Sequence, residues 1–458
     1  MKTSIKRVLC LVFAVVLVCA LAACSGGKTE SSASNGSDSK KQESEVVVSQ
    51  RFDDWENFDP YATISDDIKG STVRFATWID HTQTEGNGPL SKFEEDTGLK
   101  WELVTVAQGE YVEKLKTMFA SGDRPDVFVT NEDLGNFPLT IEIAQPINKC
   151  STVNLEEPIW DQSMLATGTI DGNIYLVNTL NSPWSGSNLV YYNKELFENN
   201  GFKTPAEYYE EGNWTWATLE KILKDVKSLG PDYQGGSIDV EIIADSAGAS
   251  FCKYDYKTAT FSNGTTDPNL VAAYQWYAGV RDQGLTNGSF ASFKEGKTGI
   301  IITGVYGLKS NGYWIGMDPE SVGFTYLPAL QDGGKGKVSS IYRMYGIIAG
   351  AKNADAAGYF LRHFLDYRNY DLNNTFLTPE AGTFYYELTN TVADEKYFNF
   401  DDAMCSFVGE SSSDVFNRAA KKAASAQVNG DIQSVSNVVD QAVKAGNELI
   451  AKLKDTYK

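Results

Sequence analysis

The order of its segments predicts an α/β chain of two lobes. Strand-like and helix-like segments alternate from Thr72 onward, and the alternation begins again at Leu189. About 400 residues follow a low-complexity N-terminal stretch, more than one hydrophobic core usually serves.

The folded part starts with a lead-in at Asp66–Gly70, and Thr72–Trp78 is a short β-rich run that reads as a strand. Pro89 opens a helix with Leu90 and Phe93 on one face, closed by Thr97-Gly98. Trp101, Leu103 and Thr105 then alternate as a second strand. Tyr111, Leu115, Met118 and Phe119 fall at i, i+4, i+7 and i+8 of a helix that stops at Gly122. Pro125 precedes a buried strand, Asp126–Thr130. Strand, helix, strand, helix, strand implies a parallel sheet covered by helices. Downstream come the strand Leu189–Tyr192 and a helix through Leu219, Ile222, Leu223 and Val226 that halts at Gly230-Pro231. A helix opened by Asp267-Pro268 and the apolar strand Gly299–Thr303 follow. The chain ends with a strand at Tyr345–Ala349, a helix with Ala357, Phe360, Leu361 and Phe364, and a terminal amphipathic helix through Val435, Val439, Ala442, Leu449 and Leu453.

The N-terminus carries a different message. Lys2, Lys6 and Arg7 lead into an apolar run from Val8 to Val18 that ends in Leu21-Ala22-Ala23-Cys24, a signal peptide with a lipoprotein cleavage box. The run is shorter than the ~20 residues a membrane span needs, and polar Ser25-Gly26-Gly27 follows at once. Cys24 is the expected lipidation site, and two acyl chains hold a protein on a membrane where one binds reversibly. Ser25–Glu45 has no aromatic residue and cannot bury enough surface to order itself, so it reads as a flexible spacer.

Three of the 40 basic residues and none of the 60 acids precede Cys24, which leaves 37 against 60 and a formal charge of −23. So negative a chain argues against nucleic-acid or anionic-lipid partners. Cys10 and Cys19 leave with the signal, and Cys150, Cys252 and Cys405 are an odd set that defines no disulfide framework.

Catalytic motifs find little support. Gly296-Lys297-Thr298 resembles the end of a phosphate loop, but the glycine needed five residues earlier is Ala291. There is no G-x-S-x-G, and His81 and His363 are too few for a triad or a zinc site, so neither metal nor cofactor is expected. A glycosidase needs only two carboxylates, which an acidic chain always offers. The excess lies in aromatics, with 24 Tyr, 23 Phe and 9 Trp. Trp78 with Asp80 and His81 follows the first strand, Asn131, Glu132 and Asp133 follow the third, and Trp184 sits between Pro183 and Ser185. In open α/β sheets ligands bind beyond the carboxyl ends of strands. Sugars suit such a lining, because their C–H faces stack on rings while carboxylates and amides pair with hydroxyls.

Several short segments carry a resemblance. They are Phe93-Glu94-Glu95-Asp96-Thr97-Gly98; Ser121-Gly122-Asp123-Arg124-Pro125-Asp126-Val127; Asp171-Gly172-Asn173-Ile174-Tyr175; Val190-Tyr191-Tyr192-Asn193-Lys194-Glu195-Leu196-Phe197; Thr215-Trp216; and Phe293-Lys294-Glu295-Gly296-Lys297-Thr298 leading to Gly304-Val305-Tyr306. In order and spacing the chain resembles the extracellular solute-binding proteins of bacterial ABC importers, in the family 1 group that includes maltose-binding protein and other carbohydrate-binding lipoproteins.

The resemblance implies a type II periplasmic-binding-protein-like fold with a hinge and a ligand cleft between the lobes. Its segments would be a signal peptide at 1–23, the lipidated cysteine and linker at 24–65, an N-terminal lobe at 66–180 and 338–375, and a C-terminal lobe at 185–332 and 376–458. The chain would cross near Asn178–Ser187 and return near Gly333–Ser339. Trp78, Asp80, Asn131, Glu132, Trp184, Tyr306, Arg343 and Tyr345 are the expected ligand contacts, with Phe416 or Asn417 adding another. Tyr306 stands where the family usually has a tryptophan, and Arg343 and Tyr345 where it often has small glycines. An arginine facing the ligand would fit an acidic sugar. The implied partners are a carbohydrate, the permease subunits of an ABC transporter and, through Cys24 alone, the outer face of the cell membrane. The protein is expected to act as a monomer and to perform no chemistry. A lipid-anchored glycoside hydrolase and a binding protein for a non-sugar ligand are the alternatives.

Overall fold

The computed structural model describes residues 61, 64–78, 90, 92–130, 141–179, 185–331, 334–366, 376–389, 396–423 and 428–456. The stretch Asp59–Lys458 forms one compact unit. Cys24, the signal and most of the linker lie outside the described residues.

Strand β1 (Thr72–Thr77) pairs in parallel with β2 (Lys100–Thr105) on one side and β3 (Val127–Val129) on the other. Between them run α1 (Phe93–Thr97) and α2 (Tyr111–Ser121), which stop at Gly98 and Gly122, both in the left-handed conformation that glycine adopts without penalty. Pro89, the expected opening of the first helix, lies outside the described residues. Leu90 is buried in a turn ahead of α1. There follow β4 (Ala144–Gln145), α3 (Gln162–Thr167) and the hairpin of β5 (Thr169–Ile170) and β6 (Asn173–Ile174). Asp171 and Gly172, both at positive φ, make its turn, as an Asp-Gly pair does in tight hairpins.

The second sheet opens with β7 (Ser185–Asn193), followed by α4 (Lys194–Asn200), α5 (Pro205–Glu210), α6 (Trp216–Lys227), β8 (Gln234–Ser237) and α7 (Val240–Ser246). Next come the hairpin β9 (Cys252–Asp255) and β10 (Thr260–Asn263), then α8 (Pro268–Asp282), α9 (Phe290–Lys294), β11 (Thr298–Gly304), β12 (Val322–Thr325) and β13 (Val338–Tyr342). The chain then returns to the first lobe as β14 (Tyr345–Ile348) and α10 (Ala354–Phe364). It finishes on the second with α11 (Pro379–Thr389), β15 (Lys396–Phe398), α12 (Asp401–Ser406), α13 (Ser412–Ala423) and α14 (Val428–Thr456).

The first sheet has the order β2-β1-β3-β14-β4, and the second β15-β13-β7-β11-β8 with β12 also on β7. The expectation of a parallel sheet holds for β1 to β3 and not for β14, which runs antiparallel to β3. The cause is its route: β14 enters from the other lobe, at the end where the parallel strands finish. The second sheet is mixed, because β7 enters it from the crossing and pairs antiparallel with β11, β12 and β13.

Arg343 and Met344 alone separate β13 from β14, so the chain passes from one sheet to the other within two residues. The described residues on either side of the earlier crossing lie beside it. Val177 and Tyr345 exchange both backbone hydrogen bonds at 2.9 Å, and Ser185 pairs with Tyr342 on the second-lobe side. A third passage ends at Phe376, which bridges Lys309, while the Leu377 N–H donates to the Leu308 carbonyl at 2.8 Å.

Several of the short segments quoted above are explained by packing alone. Asp126 is buried and its carboxylate accepts from the backbone of Arg74 and Asn353, both at 2.9 Å, tying β1 and the start of α10 to β3. Arg124 lies 4.2 Å over the Phe119 ring and donates to the Ala349 carbonyl at 2.9 Å. Asn193 caps α4 through the Leu196 N–H and reaches the Phe293 carbonyl. Thr215 forms a capping box with Thr218, and Trp216 donates its ring N–H to Ser246 Oγ. Gly296-Lys297-Thr298 is a helix stop leading into β11, with Gly296 at φ 69° and Thr298 buried.

Replacing Asp126 with Ala leaves two part-buried backbone N–H donors without their carboxylate partner. Each costs about 1–3 kcal/mol, so D126A is expected to lower the urea midpoint with an unchanged m-value. A midpoint equal to that of the unaltered chain contradicts the assignment.

Candidate functional site

The carboxyl ends of β1 and β3 lie level with the crossing, since Tyr345 at the start of β14 pairs with Val129. In the second lobe Gly304, the last residue of β11, pairs with Asn188, just inside the end of β7 that comes from the crossing. The strand ends of both lobes therefore meet at the hinge, where open α/β sheets hold their ligands.

Trp78 follows β1, half-buried, with its ring edge-on to Tyr111 at 5.0 Å. Tyr111 is fully buried at the start of α2; its hydroxyl donates to the Ala76 carbonyl at 2.8 Å and accepts from the Val129 N–H at 3.1 Å. Burial pushes this phenol well above the ordinary tyrosine range. It thus joins β1 to β3 at their carboxyl ends and backs the indole.

Arg343 stands over the other member of this group. Its guanidinium carbon is 5.7 Å from the centre of the Trp78 ring, within cation–π reach. The backbone beneath it is held on both flanks. Asn178 Nδ2 donates to the Arg343 carbonyl at 2.7 Å, and Met344 exchanges bonds with Thr130 through its N–H at 2.9 Å and its carbonyl at 2.8 Å. Tyr345 next to it is 1% exposed and packs in the first-lobe core, 6.2 Å from Phe75 and 5.5 Å from Phe364.

Tyr306 stands on the second lobe just beyond β11, 47% exposed, its hydroxyl donating to the Asn311 carbonyl at 2.6 Å. It meets Tyr313 edge-on at 5.1 Å, and Tyr313 in turn touches Phe290, which is itself exposed. The structure therefore brings Trp78, Arg343 and Tyr345 together and leaves Tyr306 in an aromatic group of its own. Asp80, Asn131, Glu132 and Trp184 lie outside the described residues, as do His81 and Asp133. Phe416 is buried against Phe251 and Tyr274, and the side chain of Asn417 is outside the described set. Tyr111, Asn178 and Thr130, which position this edge, were not singled out by the sequence. The signal for Tyr111 was its place at the start of a helix that follows a strand end.

A model of bacterial extracellular solute-binding proteins matches residues 69–369. The chain belongs to that family. Its fold is the type II periplasmic-binding-protein fold, shared with the sugar-binding protein MalE of Xanthomonas citri (TM-score 0.60, 16% identity, 84% of this chain and 99% of that one). The GacH receptor of Streptomyces glaucescens, solved unliganded and with acarbose, is similar over 83% of this chain and 99% of its own at TM-score 0.57 and 16% identity. A substrate-binding protein of Listeria monocytogenes solved with cycloalternan gives TM-score 0.52 at 15% identity, over 84% and 99%. A binding protein of Brucella abortus is 23% identical over 222 residues, 46% of this chain and 51% of that protein. The chain thus spans about half the length of the curated relatives it matches.

Among the described residues of this solute-binding protein, no cluster of three or more His, Cys, Asp or Glu could hold a metal, and no helix is long and apolar enough to cross a membrane. Cys150, Cys252 and Cys405 are buried and form no disulfide among the described residues. His363 is buried against Asp96 at 2.9 Å, and burial lowers its affinity for a proton. The lobes also touch away from the crossing strands. Lys396 of β15 pairs with Asp161 at 2.8 Å, both side chains buried, while Asp161 caps α3 by accepting from the N–H groups of Ser163 and Met164.

Beside the crossing in the second lobe, Asp245 is buried. Ser339 Oγ and Asn399 Nδ2 donate to its carboxyl at 2.7 and 2.8 Å, and Asn188 donates to Ser339 at 3.0 Å. Burial raises the Asp245 carboxyl to about 7; the two donors oppose the rise and Asp401 adds to it. An unfolded aspartate titrates near ~4. Between these values the folded state binds more protons than the unfolded one, so this group's contribution to stability falls as pH rises from about 4 to about 7. Denaturation of the unaltered chain and of D245N across that range is expected to show this downward slope in the first and its loss in the second. Parallel pH profiles contradict the assignment.

Proposed function

We propose that this solute-binding protein is the lipid-anchored receptor of an ABC importer, closing its lobes on a carbohydrate and handing it to a membrane permease. The observation that carries the ligand class is the half-buried indole of Trp78, backed by Tyr111, at the strand ends beside the crossing. A ring held rigidly by neighbouring groups offers a face for a sugar's C–H bonds at little entropic cost. Tyr306, exposed at the matching strand end of the second lobe, would supply the opposing aromatic contact once the lobes close. Sugar-binding proteins among the similar structures support the same ligand class. Asp80, Asn131, Glu132 and Trp184, which in the sequence follow β1, follow β3 and precede β7, are proposed as further contacts. Tyr345, buried, would act by holding Arg343 in place.

In this reading the protein catalyses nothing. Affinity comes from contacts that only the closed form completes, and closure is a hinge motion about the crossing strands. Cys24, given its diacylglycerol before the signal is removed, would keep the receptor near its permease on the outer face of the membrane, with the chain between Cys24 and the compact unit that starts at Asp59 as tether.

A thermal-shift screen of mono- and oligosaccharides against the chain lacking its signal tests this. A ligand at 100 times its Kd adds about 2.7 kcal/mol of stability, and Trp78→Ala is expected to weaken a saccharide that registers by about tenfold or more. Chromogenic glycosides should not be turned over. A shift with peptides and none with any sugar contradicts the reading, as does steady hydrolysis. Membrane fractionation of a Cys24→Ala chain that still sediments with membranes contradicts the anchor.

A further inference from the structure

We infer that the sugar site does not end at Tyr306 but continues along the second lobe over Tyr313, Phe290 and Ile315, so that the ligand is an oligosaccharide whose chain runs out of the cleft onto this face; this rests on the carbohydrate reading above. The first support is exposure. Among the described residues four large aromatic or aliphatic side chains are exposed, and three of them, Tyr306, Phe290 and Ile315, belong to this one face. Ile315, the most open at 62%, stands two residues beyond Tyr313. Its carbonyl accepts from Lys294 Nζ at 3.1 Å, which ties it to α9, the helix that Phe290 begins. Apolar side chains gathered on a surface, rather than scattered singly, mark a place of contact.

The second support is the setting of the rings. Phe290 lies nearly parallel to the Trp314 indole, at 28° and 5.5 Å, and Trp314 is itself buried against Phe293 and Tyr191. The phenyl thus rests on a fixed support while 38% of the residue stays exposed. A ring held in this way stacks on the C–H face of a pyranose with little further loss of freedom. Tyr313 stands between Phe290 and Tyr306, 5.1 Å from each. The three rings form one run.

The third support is that this run starts at the cleft and is edged by neutral groups. The Tyr313 hydroxyl lies 4.0 Å from the point where a side chain on Gly304 would begin, and Gly304 ends β11 at the level of the hinge. A chain that stacks on Tyr306 is therefore led along the face. Ser310 and Asn311, exposed between Tyr306 and Tyr313, offer a hydroxyl and an amide. The single charge from Val305 to Gly316 is Lys309, whose ammonium sits 4.0 and 4.4 Å over the Phe376 and Tyr385 rings. Rings edged by neutral donors and acceptors suit sugar hydroxyls.

Calorimetric titration of the chain lacking its signal tests the inference. The probes are cello-, xylo-, manno-, galacto- and malto-oligosaccharides, each as the disaccharide and the hexasaccharide. In at least one series the hexasaccharide is expected to bind about threefold to tenfold tighter than the disaccharide, the range for one aromatic contact. That ratio should fall to near one in Phe290→Ala and be kept in Phe290→Tyr, which retains the ring. Unliganded melting of both variants is measured alongside, so that a loss of binding is not a loss of fold. Disaccharides binding as tightly as hexasaccharides in every series overturn this inference and leave the carbohydrate receptor standing. A ratio that persists in Phe290→Ala overturns the assignment of this face to sugar, and so does an equal loss of both lengths in that variant. Binding of no saccharide of either length overturns both readings.

Discussion

The reciprocal backbone pair between Val177 and Tyr345 is the contact on which the rest of the molecule is arranged. It sets two crossing segments side by side, and from that follow the antiparallel entry of β14, the placement of Arg343 between the sheets, and the meeting of both sets of strand ends at one level. On the second-lobe side the joint continues as the antiparallel pairing of β7 with β13. A hinge closure of the lobes would turn about this joint. The buried Lys396–Asp161 pair adds a second tie between lobes. Being desolvated, it favours one geometry more than it adds stability.

Around the crossing, polar groups are spent on backbone rather than on ligand. Tyr111 joins β1 to β3, Thr130 and Asn178 hold the returning strand, and Asp126 stitches the opposite end of the first sheet. Many residues that make this chain look like its family are therefore anchors and caps. The proposed contacts with solute are side chains left half-exposed at the strand ends, Trp78 in the first lobe, Arg343 at the crossing and Tyr306 in the second lobe.

That division explains what the sequence could and could not say. Periodicity in Tyr111, Leu115 and Met118, or in Leu219, Ile222 and Val226, follows from one buried face, so those helices were legible. The alternation of strands and helices located the first sheet, and Gly98 and Gly122 marked helix ends through their left-handed backbone. The antiparallel β14 was not legible, because direction in a sheet depends on where the chain comes from, which no local pattern records. Nor was the burial of Tyr345 and Phe416. An aromatic beside polar residues reads the same whether its ring faces solvent or Phe75 and Phe364. The pairing of Trp78 with Arg343 joins residues in separate segments, so only the fold reveals it.

The central claim is that the crossing strands are a hinge about which two rigid lobes close on solute. Spin labels at Glu113→Cys on α2 and Lys224→Cys on α6, both exposed, measure it most directly in a chain that lacks its signal and has Cys24 replaced, since the three remaining native thiols are buried. The account predicts that a saturating saccharide shortens and narrows the distance between these labels, while a control pair at Lys224 and Gln283 within the second lobe stays fixed. An inter-lobe distance that does not change when ligand binds would contradict it.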